Sequence, residues 1–77
     1  MNAKDMKKLI EGLDYQLYLI SRCDYTLCEK IDRIIDVNSH YRKTLVVLHF
    51  NNMLSTQQLN FLRKRFKTIK RKYMDMI

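Results

Sequence analysis

Proline is absent from this chain, and Gly12 is its only glycine. Small strand-rich folds need both residues at their tight turns, so their scarcity favours helices joined by short polar connections. Tryptophan is also missing, and Cys23 and Cys28 are the only cysteines. Two cysteines are too few for the disulfide frameworks that staple small secreted domains. No apolar run approaches membrane-spanning length. No charged-then-apolar leader opens the chain and neither end carries a lipidation motif. An intracellular, reducing cytoplasmic setting with both thiols free is therefore expected. The 77 residues are read as one small helical domain over 1–77, with a thin core.

Three amphipathic stripes are present. Met6, Leu9, Ile10, Leu13, Leu17 and Ile20 recur at helical spacing and predict a helix over about 3–22. Asn2 stands at its N-cap and Asp5 in its first turn. Gly12 either permits a close helix contact or is simply tolerated. Thr26 and Glu29 form a capping-box pattern. Beyond it Leu27, Ile31, Ile34, Asn38, Tyr41, Leu45 and Leu48 step by four and three. That heptad seam predicts a helix over about 26–50, with Val37–His40 as the one place where it could break. Thr44–Phe50 has high strand propensity, but the chain offers no second strand to pair with it. Ser55 and Gln58 repeat the capping-box pattern and open a third helix over about 55–76. Its seam is Leu59, Leu62, Phe66, Ile69, Tyr73 and Met76.

The expected fold is all-α: an elongated antiparallel three-helix bundle. Val46 and Val47 lie off the second seam, so this part of the helix should be central or should meet another chain. Asn38 on the seam would then fix register or oligomer state. Completion of the core by homodimerisation is the alternative architecture.

Acids are scarce in the second half. Residues 1–36 carry six Lys or Arg against seven Asp or Glu, whereas residues 37–77 carry nine against Asp75 alone. The formal charge is +7. Seven basic residues fall between Arg63 and Lys72: Arg63, Lys64, Arg65, Lys67, Lys70, Arg71 and Lys72. With Leu59, Phe66 and Tyr73 at heptad position a, these cations occupy b, e, f and g. Glu11 and Asp14 are expected opposite the first stripe, and Glu29, Asp32 and Asp36 on the outer face of the second helix. Most of the cationic face should therefore lack intramolecular partners and be open to an anionic one.

Nucleic acid, or a nucleic-acid-handling complex, is the leading partner on this reading. Lys and Arg neutralise phosphates with little sequence preference. Thr56, Gln57, Gln58 and Asn60 sit in the first turns of the third helix, where helix-turn-helix proteins contact base edges. The turn before Ser55 lacks the glycine usual to that motif. The alternative is an inhibitor or adaptor docking its basic helix on an acidic protein, as host-takeover proteins of viruses do. Phe61 and Tyr18, off their seams, would then be aromatic anchors, Phe61 the sharper of the two because its c position should be exposed. A membrane surface fits less well, because the bundle needs the same apolar stripe.

Cys23, Cys28, His40 and His49 have spacings C-x4-C and H-x8-H, unlike the short ligand pairs of structural zinc sites. The acids are dispersed, and no nucleophile-base or paired-carboxylate constellation stands out. The sequence thus predicts a non-enzymatic binding protein with neither metal nor cofactor.

Overall fold

Each helix begins where a side chain can satisfy the first orphan backbone amides. The computed structural model describes all 77 residues, as α1 (Ala3–Arg22), α2 (Leu27–Phe50) and α3 (Thr56–Met76). Asn2 Oδ1 accepts from Asp5 N at 2.8 Å. Thr26 and Glu29 exchange two hydrogen bonds, at 3.2 and 3.3 Å. Ser55 and Gln58 do the same at 3.0 and 3.1 Å. Thr26 and Ser55 are thus the caps themselves, one residue outside their helices.

The α2–α3 connection needs no glycine. Asn52 takes the left-handed conformation, with φ 60°, which asparagine tolerates better than most residues. Asn52 N then donates to His49 O at 3.0 Å, and Met53 N to Leu48 O at 2.9 Å. This pair of bonds is the Schellman motif, which satisfies the last carbonyls of a helix. Leu54 follows immediately and is buried, so the turn itself closes one end of the core.

The three helices pack in mutual contact as a bundle of 39 × 19 × 15 Å. Leu13, Leu17 and Ile20 of α1 meet Ile34 and Leu45 of α2 and Leu62, Phe66, Ile69 and Tyr73 of α3. Leu13, Leu17, Ile34, Leu45, Leu62 and Phe66 are fully buried, and each such side chain contributes about 1.5–3 kcal/mol of transfer free energy. The helix α2 runs unbroken through Asn38 and Ser39, and Thr44–Phe50 lies within it.

Gly12 is a contact position. A Cβ there would stand 2.9 Å from the Tyr41 hydroxyl oxygen. The Tyr41 ring in turn meets Phe66 edge to face, with centroids 5.8 Å apart. A single hydrogen atom at position 12 lets all three helices converge on this aromatic pair.

The seams fray at their outer ends. Leu27 and Met76 occupy seam positions at helix ends yet are exposed. Val46 and Val47 are also exposed, as are Phe50 and Met53 near the same end of the bundle. The apolar excess of α2 is therefore uncovered within one chain. Asp14 departs from its expected outward position. It flanks the α1 stripe closely enough to accept a hydrogen bond from the buried Tyr73.

Candidate functional site

The helical wheel of α3 divides its cations between two sides of the seam. Positions e, b and f hold Arg63, Lys70, Lys67, Lys64 and Arg71, and of these Arg63, Lys64, Lys67 and Lys70 lie towards α2. Position g holds Arg65 and Lys72, towards α1. The structure follows this division. Arg63, Lys64, Lys67 and Lys70 join Asn38 and Arg42 of α2 around a groove of about 320 Å³. No apolar side chain and no carboxylate lines it.

On the other side, Lys72 Nζ lies 3.1 Å from Asp14 Oδ1, and the Tyr73 hydroxyl donates to the same oxygen. The tyrosine hydrogen bond and the nearby ammonium hold the Asp14 carboxyl below its ordinary range, against the opposing effect of burial. The bond to Asp14 raises Lys72. Burial, and then the bond to Asp14, raises the Tyr73 phenol. Arg65 shares a second groove, of about 660 Å³, with Ala3, Met6, Ile10 and Phe61 among its lining residues.

Lys72 is the only one of the seven block residues in an ion pair; the chain's other pair is Lys7–Glu11, at 3.7 Å. Glu29, Asp32 and Asp36 gather instead with Arg33 and Ile35 on the surface of α2. Those acids leave the α3 cations uncompensated. Arg63, Lys64, Arg65, Lys67 and Arg71 are exposed and Lys70 is half-buried, so their field extends into solvent.

The polar residues that open α3 divide in a similar way. Thr56, Gln57 and Asn60 are exposed. Gln58 is engaged at both ends of its amide: Oε1 accepts from Ser55 N, and Nε2 donates to Met1 O at 2.7 Å. Phe61 is 50 % exposed at the edge of the α1–α3 groove.

Sequence reasoning missed Arg42 as a site residue and assigned Asn38 only to register. Arg42 occupies the e position next to Asn38 on the α2 seam, but the heptad pattern does not tell which side of α3 that position faces; the structure sets it beside the e and b cations. Asn38 is 4 % exposed, and its Oδ1 is a buried side-chain polar atom with no hydrogen-bond partner. An unsatisfied buried amide costs roughly 1–3 kcal/mol.

Cys23 and Cys28 are exposed free thiols. His49 Nδ1 is 3.0 Å from Leu54 O, within the turn that closes the core. No three His, Cys, Asp or Glu side chains converge as a metal site would require. No helix is long and apolar enough to cross a membrane. Comparison with protein-family models, curated proteins and solved structures finds no match to this chain.

Proposed function

We propose that this protein binds nucleic acid through its phosphate backbone and acts without catalysis. The observation that carries this reading is the shortage of intramolecular partners for the basic block: Lys72 alone is ion-paired, while the second half of the chain holds nine Lys or Arg and one acid. Unpaired Lys and Arg gain by displacing counterions from a polyphosphate. The apolar stripe of α3 is consumed in the core, where Leu62, Phe66, Ile69 and Tyr73 are buried. That leaves a cationic surface rather than an amphipathic one and disfavours a membrane as the partner. The exposed thiols of Cys23 and Cys28 fit a reducing, cytoplasmic compartment.

The test is binding to a short DNA duplex and a matched single strand across a series of salt concentrations. The expected logarithmic slope is about −0.9 per phosphate neutralised on duplex and about −0.7 on a single strand. Salt-independent binding, or none at low salt, contradicts the proposal.

One observation favours a second reading, a protein-directed inhibitor or adaptor. Phe61 stands half exposed beside Met6 and Ile10, in a groove that holds Lys7 and Arg65 and also Glu11 and Asp14, and an exposed aromatic at such an edge suits an anchor on a protein partner. Under that reading Phe61→Ala weakens capture of the partner at least as much as charge reversal on α3.

A further inference from the structure

We infer that the α2–α3 groove is the seat of a backbone phosphate, with Asn38 and Arg42 of α2 completing a site whose other half is α3. This inference rests on the nucleic-acid reading and adds to it a place, a second helix and a polar group. A strand bound here crosses from α3 onto α2 instead of following α3 alone.

Three observations converge on the groove. Five cationic side chains line it, Arg42, Arg63, Lys64, Lys67 and Lys70, and no carboxylate does. Like charges gathered around one cleft repel one another, and a phosphate oxyanion placed among them relieves that repulsion. Their spacing suits one ligand: Asn38 and Arg42 are one turn apart on α2, and Arg63, Lys67 and Lys70 succeed one another on a single side of α3. Finally, Asn38 lines the same groove while almost wholly buried, and its amide Nδ2 is the one neutral side-chain donor among the lining residues. In the proposed site the Asn38 amide donates from Nδ2 to a phosphate oxygen, and the Arg42 guanidinium pairs with the same group.

The deciding comparison is Arg42→Gln against Lys43→Gln. The two substitutions remove the same charge from adjacent residues of α2, but only Arg42 lines the groove. Binding to a short DNA duplex is measured across salt concentrations for the intact protein and both variants. Arg42→Gln is expected to lose about tenfold in affinity, as for one hydrogen bond to a charged group, and about 0.9 of the salt slope. Lys43→Gln is expected to stay close to the parent. In the same titration, followed by nuclear magnetic resonance, the Asn38 side-chain amide signal should shift. Asn38→Leu should bind more weakly while folding at least as stably.

Equal losses from the two charge removals, or an unmoved Asn38 amide, overturn the groove assignment while the parent's salt-dependent binding leaves the nucleic-acid reading standing. A parent protein that binds no nucleic acid removes both. Inorganic tripolyphosphate is the remaining arm. If it shifts the Asn38 amide more tightly than the duplex does, the seat belongs to a free polyphosphate and the backbone assignment fails.

Discussion

Lys72 Nζ lies 3.1 Å from Asp14 Oδ1, and this contact separates one cation from a block that otherwise has no internal partner. Lys72 ties α3 to α1. Arg63, Lys64, Lys67 and Lys70 face the α2 side around a groove without acids. A run that looks uniform in the sequence is therefore divided in the fold. Lys72 is paired across to α1, and the other six have no ion pair within the chain.

The Asp14 network makes an acid-stability prediction. Asp14 is lowered in the folded protein, chiefly by the Tyr73 hydroxyl. Its contribution is therefore complete above the unfolded carboxyl range, about 3.9, and is lost as pH falls through the lower folded value. Tyr73 is raised, so its contribution is present below about 10 and is lost as pH rises through the folded value. Asp14→Asn should flatten the acid limb of a melting-temperature profile against pH and only reduce the alkaline limb, which rests first on the burial of Tyr73; Tyr73→Phe should remove the alkaline limb. Tyr73→Phe should destabilise by about 1–2 kcal/mol at neutral pH, since it removes a hydrogen bond to a charged group. Unchanged limbs in both variants would show that the contact contributes nothing.

Gly12 and Tyr41 should couple. Alanine is intrinsically better than glycine in a helix by about 1 kcal/mol, but at position 12 its Cβ meets the Tyr41 hydroxyl at 2.9 Å. Gly12→Ala alone should thus gain nothing or lose stability. In a Tyr41→Phe background the nearest ring atoms stand at 3.7 Å, an ordinary contact. There Gly12→Ala should stabilise by about 1 kcal/mol, or roughly 4–8 °C for a domain of this size. Chemical denaturation of the four proteins in the cycle checks this, and additivity would contradict it.

These two contacts also show what the sequence could and could not convey. The caps Asn2, Thr26 and Ser55 were legible because capping needs only local spacing. The core residues Leu13, Leu17, Ile34, Leu45, Leu62 and Phe66 were legible because a seam records which face is buried. Which side of α3 faces α1 and which faces α2 was not legible, because it depends on the hand of the bundle and on each helix's rotation. Arg42 was overlooked for that reason, and Asp14 was placed on the wrong face. Leu27 and Met76 continue their seams in sequence but are exposed in the structure. Seam periodicity alone does not tell how deeply a residue at a helix end is covered.

Asn38→Leu should raise stability by about 1–3 kcal/mol, because it removes a buried acceptor without a partner. Thermal and urea unfolding measure the effect. A clear loss of stability would mean that the amide is satisfied within the folded protein.

Ser55→Ala should cost about 1 kcal/mol, as for an ordinary N-cap. The effect should be local, because Ser55 and Gln58 satisfy each other's amides at the start of α3. Hydrogen exchange should speed up first in residues 56–59. Uniform acceleration across the whole chain would contradict a local capping role.

The most direct test of the central claim is the double charge reversal Lys64→Glu with Arg71→Glu. Both residues are exposed on α3, outside its buried seam, so circular dichroism and the melt should change little. Binding to a DNA duplex should fall at least a hundredfold, and the salt slope should flatten by about two units, close to 0.9 for each lost phosphate contact. Full binding with an unchanged slope would show that the cationic helix is only a solvated face and would contradict the proposed function.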